Sequence, residues 1–355
     1  MQSRLLSYCF AGLAVLLLVP SLPCQSPSPV PATPSASPTA SAPDLKDQRR
    51  MIDRGQSKEA LAQLDAMARQ QPEPAGVERV RGLALYAEGD MAAADQAFAS
   101  ALDQDKKDLE SMQMRGLTLF RLGKPSEAIP YLENAREWTK ETKADPNYVL
   151  ALCYLDSHRY DDARHAFALQ YGFSPDSAPA YLLAGRMLFR REFLPVAEES
   201  VRKALELDPQ LPLAHQLLGE IALAGEHLDV AIAEFEKERA RNPLYGSIYD
   251  RLGDAYIRAG QYEQAEKSLQ CAVLLEPTST GPYILLGKVL LKREDPASAA
   301  SYLERAEKMD GSNSMTHNLL GQAYRSMGRI EDGKREIDIA QRMQAAQTPH
   351  LQPVH

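Results

Sequence analysis

Five of the seven histidines, the four cysteines and one glycine–lysine stretch are the residues here whose types could do chemistry. His158, His165, His215, His227 and His317 are scattered along the middle and later parts of the chain. A zinc site needs nitrogen and sulfur ligands at short, convergent spacings, and none of these histidines has a Cys or His partner at such a spacing. The stretch GPYILLGKV, residues 281–289, resembles a phosphate-binding loop only loosely. It sets five residues between its glycines, and Val289 rather than Ser or Thr follows Lys288, so both the cradle length and the magnesium ligand are missing. No Ser-His-Asp or Cys-His arrangement can be proposed from spacing. His215 and His317 read as spacers of a helical hairpin.

Cys9 and Cys24 belong to the N-terminal segment, which leaves Cys153 and Cys271 in the body of the chain. These two are separated by more than three of the structural periods described below. With helix layers about 9 Å apart, they lie far beyond the ~7 Å between Cα atoms that a disulfide tolerates. Two unpaired thiols are expected, both packed among small residues on helices.

The N-terminus, MQSRLLSYCFAGLAVLLLVPSLPCQS, carries Arg4, an apolar run from Leu5 to Val19 and a breaker at Pro20. This is the layout of a secretory signal peptide, and the run is shorter than the ~20 residues of a membrane span. Cleavage after Ser21, cleavage after Cys24, lipidation of Cys24 and retention as an anchor all remain open for residues 1–24. Residues 25–43, QSPSPVPATPSASPTASAP, are Pro, Ser, Ala and Thr almost throughout. Such a composition buries no core and predicts a disordered spacer or tether. No Asn-x-Ser/Thr site follows, which for an exported chain favours a bacterial envelope. The expected location is periplasmic or envelope-associated, with a possible membrane tether through the N-terminus. The net charge is −8, and no dense Lys/Arg run is present. Nucleic acid is therefore not an expected partner.

From residue 44 onward the chain repeats. Pro175, Pro209, Pro243 and Pro277 recur every 34 residues. So do Gly185, Gly219, Gly253, Gly287 and Gly321, with Gly82 and Gly116 earlier and Ala151 standing in once. An alanine ladder runs from Ala60 through Ala94, Ala128, Ala163, Ala197, Ala231 and Ala265 to Ala299. Units begin near residues 75, 109, 144, 178, 212, 246, 280 and 314. A degenerate unit from about residue 41 precedes them, and its first helix, DLKDQRRMIDR, is polar enough to be a cap or half-repeat. Each unit predicts two helices. In residues 212–243, His215, Leu218, Gly219 and Ala222 share one helical face, a Gly225–Glu226 break follows, and Leu228, Ala231, Phe235 and Glu238 share the next. Gly219 and Ala231 are small because two antiparallel helices must cross there. Pro243 ends the second helix.

The pattern resembles the tetratricopeptide repeat, a 34-residue helix–turn–helix. The unit from 246 carries Tyr249, Leu252, Gly253, Tyr256, Ala265, Leu269, Ala272 and Pro277 at the family's preferred positions. Glu238 in place of a small residue, Gly311 in place of the final proline, and Pro130 inside a second helix depart from it. At Pro130 a kink is expected. The resemblance implies an all-α, right-handed superhelical solenoid of about eight to nine repeats over residues 44–344, followed by a disordered tail over 345–355. The last helix, RIEDGKREIDIAQRMQ, is more polar than its counterparts, as a terminal repeat must be.

The resemblance also implies a function. Such proteins generally bind peptides or partner domains along the concave surface lined by first helices. At the positions that usually face it, the N-terminal half reads apolar and the C-terminal half charged. The candidate cradle comprises Phe120, Tyr148, Leu152, Leu155 and Phe189, with Arg186 and Arg190 at its edge. Part of this apolar stripe could equally pack on the neighbouring helix. The Lys/Asn/Arg clamp by which some members hold chaperone tails is absent: its central position reads Tyr148, Leu182, Gln216, Asp250, Ile284 and Asn318. Once the signal, spacer, repeats and tail are set aside, no segment remains to fold as a catalytic domain. The expectation is a non-enzymatic protein-interaction scaffold without cofactors. The alternative is a recruiting or regulatory subunit of a separate envelope enzyme or of a secretion or pilus assembly complex.

Overall fold

Each repeat folds as two antiparallel helices because a small residue in the first lets the second come close. The computed structural model describes residues 45–71, 73–136 and 146–347. The expected signal (1–24), the spacer (25–43) and the tail beyond 347 lie outside the described residues. The first pair is α1 (Lys46–Asp53) and α2 (Ser57–Ala68). Then come α3 (Val77–Glu88) with α4 (Met91–Gln104), α5 (Leu109–Arg121) with α6 (Pro125–Asn134), and α7 (Pro146–Asp156) with α8 (Tyr160–Tyr171). The array continues through α9 (Ala178–Arg190) with α10 (Leu194–Leu207), α11 (Ala214–Ala224) with α12 (Leu228–Arg241), and α13 (Gly246–Arg258) with α14 (Tyr262–Leu275). It finishes with α15 (Thr280–Lys292) paired to α16 (Pro296–Met309) and α17 (Ser314–Ser326) paired to α18 (Ile330–Gln347). The described residues contain helices and no strands, an all-α repeat solenoid. The degenerate N-terminal unit is a whole helix pair, and α18 runs three residues past the expected end of the array.

The crossing is tight. A Cβ added to Gly253 would lie 2.5 Å from Leu269 on α14, and one added to Gly82 would lie 2.6 Å from the Phe98 ring on α4. Gly116 faces Leu132, Gly185 faces Val201, Gly287 faces Leu303 and Gly321 faces Ile337 in the same way. In the unit where Ala151 replaces glycine, the facing residue is Phe167, and both are fully buried. Large side chains of the second helix thus fill the space that the first helix leaves empty, at interior packing density.

One turn geometry joins every pair. The residue fourteen places after each unit's start has positive φ: Gly55, Gly89, Gly123, His158, Glu192, Glu226, Gly260, Glu294 and Gly328. Glycine adopts this left-handed conformation freely, whereas an L side chain there costs roughly 1–2 kcal/mol. Four repeats carry that cost.

Polar groups tie repeat to repeat. Tyr154 Oη donates to Glu133 at 2.5 Å, Tyr256 Oη to Glu236 at 2.9 Å and Tyr324 Oη to Glu304 at 2.9 Å, each reaching the preceding second helix. The carbonyls at the proline position accept from the next unit. Tyr249 donates to Pro243 at 2.9 Å and Tyr283 to Pro277 at 3.3 Å. Glu238, the departure in α12, has a local role. Its carboxylate accepts the Leu213 N–H at 3.0 Å, and Leu213 starts α11 with φ of 65°. Pro130 lies on the exposed side of α6, where the backbone acceptor it frees faces solvent. That helix has 10 residues, against 14 in α4, α10, α12, α14 and α16.

The apolar core is not one body. A large cluster runs from Ala94 to Ile221 and a second from Ile257 to Tyr324. Between them a smaller one, around Phe235 and Leu252, adjoins the buried polar residues His215, Gln216, Glu234 and Glu238 of α11 and α12.

Two substitutions test these constraints in opposite directions. Gly253→Val should destabilise by about 1–3 kcal/mol through overpacking against Leu269, seen as a lower urea midpoint. Glu192→Gly should stabilise by up to ~1 kcal/mol by relieving the left-handed turn. An unchanged midpoint in either variant would contradict the geometry.

Candidate binding face

Successive first helices touch one another: α1 with α3, α3 with α5, α5 with α7, α9 with α11, α13 with α15 and α15 with α17. Second helices make no comparable contact among themselves. The first helices therefore lie on the inside of the stack, in contact within these groups and more widely spaced between α7 and α9 and between α11 and α13.

The sequence-derived candidates fall on this side with different fates. Phe120, Tyr148, Leu152 and Phe189 are half-buried and rest against the main core. Tyr148 leans edge-on against Phe167, with ring centres 5.9 Å apart. Arg186 is half-buried and Arg190 exposed. Leu155 is a correction: it is 0% exposed, sealed within the α7 core, and no ligand can touch it. Leu223 and Ile257, at the equivalent position farther along, are buried too. The apolar stripe is broken by helix packing and surfaces at Tyr86, Phe120, Phe189 and Leu291.

The charged half is built from α11 and α13. Gln216 donates from Nε2 to Glu220 at 2.9 Å, and Glu220 also takes Arg251 of α13 at 3.3 Å. Asp250 has a buried carboxylate oxygen with no hydrogen-bond partner. Its carboxyl is pushed above the ordinary aspartate range. Burial is the main cause, Arg251 opposes it, and repulsion from Asp254 and Glu276 adds to it.

The histidines are not spacers, contrary to expectation. His215 Nδ1 meets Glu234 at 2.6 Å, and His317 Nδ1 meets Glu336 at 2.7 Å. Both histidines are buried, and both glutamates lie nineteen residues later at one repeat position. That shared spacing was the sequence signal. Glu234 also accepts from Lys237 at 2.7 Å. Burial would raise its carboxyl, but the Lys237 and His215 hydrogen bonds prevail and hold it below the ordinary range. His317 Nε2 faces the Gly311 carbonyl at 3.1 Å, the acceptor that tyrosines serve elsewhere. With Glu307 nearby, His317 and Glu336 form a group of the kind that holds metals. Here, however, both ring nitrogens lie at oxygen acceptors, an arrangement that favours the protonated ring donating to both. A metal needs a free lone pair on neutral imidazole. Burial lowers the His317 pKa, but Glu336 and Gly311 outweigh it and the net shift is upward.

The thiols separate. Cys153 is buried and its pKa is pushed up to about 12, chiefly by burial and then by Asp156. Cys271 is exposed on α14, which corrects the expectation that both pack in the core. Elsewhere, an open cleft of about 800 Å³ beside α8, α9 and α10 is lined by charges that satisfy one another, such as Arg202 with Glu198 at 2.6 Å and Lys203 with Glu206 at 2.8 Å. No helix among the described residues is long and apolar enough to cross a membrane.

A stack of helix pairs with one repeated crossing and the first helices on its inner side defines a helical repeat protein. Tetratricopeptide repeat models match residues 52–108, 109–142, 148–212, 217–280 and 284–346, and the chain belongs to that family. It is 24% identical over 295 residues to the Hsp70-Hsp90 organizing protein of Triticum aestivum, covering 78% of this chain and 48% of that one. It is 28% identical over 215 residues to the BBSome complex member BBS4 homolog of Drosophila melanogaster, covering 60% and 43%. The chain thus spans less than half of either relative. Among solved structures it is similar to YrrB, described as a tetratricopeptide repeat protein with an unusual peptide-binding site. There the identity is 22%, the TM-score 0.45, and the coverage 53% of this chain and 95% of that one.

Two outcomes follow for the titratable groups. Because the folded His317 pKa is raised, its stabilisation is fully present below the free-chain value of about 6.5 and is lost as pH rises through the folded value. The urea midpoint of the wild type should fall over that rise, and His317→Gln should flatten the profile. A profile identical in both proteins would contradict the pairing. In native buffer, site-resolved alkylation should label Cys271 and spare Cys153. Equal labelling would show that α7 opens readily.

Proposed function

We propose that this chain is a non-enzymatic protein-interaction scaffold that holds an extended segment of another protein along its first helices. One observation carries the reading: on the inner side, where the first helices lie, aromatic side chains stay half-exposed beside unpaired arginines. Phe120 and Phe189 offer anchors, Leu152 lies between them, and Arg186 and Arg190 make no ion pair among the described residues. Helical grooves with exposed apolar anchors and polar edges take peptides through such contacts. The relatives named above support a binding role in general terms. The chaperone-tail clamp is not built, since Gln216, Asp250 and Ile284 occupy its central position.

The envelope is the proposed setting. Its support is the signal-like segment over residues 1–24 and the Pro/Ser/Ala-rich spacer over 25–43, which suit a tethered or periplasmic body. In that setting the scaffold serves the assembly of an envelope complex, and its partner is a protein rather than a nucleic acid or cofactor.

The test is affinity capture from a bacterial envelope extract with the wild type and a Leu152→Glu, Phe189→Glu variant shown by circular dichroism to be folded. The expected result is a partner held by the wild type and lost, by at least about tenfold in affinity, by the variant. Equal capture by both would move the binding site off this face.

A further inference from the structure

Four carboxylates lie on the first helices α3, α5, α7 and α9, and a cation already holds each of them. Glu78 pairs with Arg81, and Glu88 with Lys58. Glu110 pairs with both Arg49 and Arg79. Asp156, the last residue of α7, takes Arg191, which caps α9, at 2.6 Å. The cations of the same helices are not used up. Arg79, Arg81 and Arg115 reach Asp108, Asp65 and Asp95. Arg121, Arg186 and Arg190 form no ion pair and no hydrogen bond among the described residues. This half of the array thus leaves three guanidinium groups over, in a chain whose net charge is −8.

All three are placed to take an anion. Arg186 and Arg190 stand one turn apart on α9, where like charges repel and weaken the helix that bears them. A carboxylate between them offsets that repulsion, and a guanidinium fork matches its two oxygens. Arg121 is held differently. Its guanidinium carbon lies 4.9 Å from the centre of the Tyr86 ring on α3. Stacking occupies the flat face of the group and leaves its N–H edge free to donate. Each site has a half-buried aromatic neighbour in the chain, Phe120 beside Arg121 and Phe189 beside Arg190. Contacts lead from one site to the other. Helix α3 touches α5, and α5 touches α7. The Arg191–Asp156 pair joins the end of α7 to the end of α9.

We infer that the partner of the inner face is an acidic polypeptide segment, with one Asp or Glu carboxylate at Arg186 and Arg190, another at Arg121, and apolar side chains on Phe120, Leu152 and Phe189. This rests on the inner-face reading above and adds the partner's charge. No carboxylate of α3, α5, α7 or α9 is left unpaired to repel such a segment. Nucleic acid is anionic too, but a phosphate backbone needs a row of cations along a basic face. Here the free cations are three, and half-buried apolar residues accompany them. Charge complementarity of this kind speeds encounter and rejects basic segments.

The probe is a phage library of random twelve-residue peptides, selected against the whole chain, with individual peptides then measured by fluorescence anisotropy. Selected peptides should be enriched in Asp and Glu, and their binding should weaken as salt is raised. Arg186→Gln with Arg190→Gln, which also relieves repulsion and so should fold, should lower affinity about tenfold. Arg121→Gln should lower it several-fold. Lys288→Gln with Lys292→Gln removes two unpaired cations from α15, three repeats from α9, and should change affinity less than about twofold. An equal loss in the Arg and Lys variants would show a general attraction to anions and overturn the inference. So would a DNA strand that binds more tightly than any selected peptide and is lost in the Arg variants. Peptides that lack acidic residues, ignore the Arg variants and lose binding in Leu152→Glu, Phe189→Glu would overturn this inference and leave the inner-face reading standing. Selected peptides indifferent to all the variants, or no selection at all, would overturn both.

Discussion

The structure depends on the close approach of two helices at one position of each repeat, glycine in seven of the nine described pairs. With hydrogen in place of a side chain at Gly82, Gly116, Gly185, Gly219, Gly253, Gly287 and Gly321, a large residue of the second helix packs directly on the first helix's backbone. That contact sets the distance within a pair. Because it recurs with the same partner position, each pair presents the same two surfaces to the next. The first helices then converge and touch, and the inner face is a consequence of that convergence. A solenoid of this kind has no global core. Its stability is a sum of pair terms and neighbour terms, which is why the apolar clusters can break near α11 and α12 without breaking the fold.

Polar contacts take over where the apolar core is thinner. In the N-terminal half, Phe98, Leu132 and Phe167 fill the crossings of one large cluster. Farther on, α11 and α12 bury His215 against Glu234 and cap Leu213 with Glu238. The terminal pair repeats the device with His317 and Glu336. Buried ionic pairs of this sort add little net stability over apolar packing but are costly to half-remove. They act here as register pins, each joining one position of a first helix to one position of its second. The same half of the array holds the free carboxylates of its inner face, so polarity in the core and polarity on the binding side rise together along the chain.

Much of this was legible in the sequence. The proline, glycine and alanine ladders mark the unit boundaries, and Gly219 and Ala231 mark the crossing, because backbone geometry forces the same residue type wherever it recurs. The turn position was harder to read: His158, Glu192, Glu226 and Glu294 stand where the others have glycine, so residue type no longer reports the backbone there. Site residues were only partly readable. Leu155 and Phe120 share a repeat position, yet Leu155 is sealed and Phe120 is half-exposed, so repeat position alone does not report burial. Side-chain partners were not readable from type alone. Cys271 and Cys153 look alike in sequence and differ in exposure. The His–Glu pairs needed two instances at one spacing to stand out from chance.

The central claim is that ligand binding belongs to the first helices and not to the outer second helices. Hydrogen–deuterium exchange of the chain, alone and saturated with its captured partner, tests that most directly. The account predicts slower exchange in α5, α7, α9, α11 and α13 on binding, with α6, α8, α10, α12 and α14 unchanged. Protection confined to the second helices would contradict it.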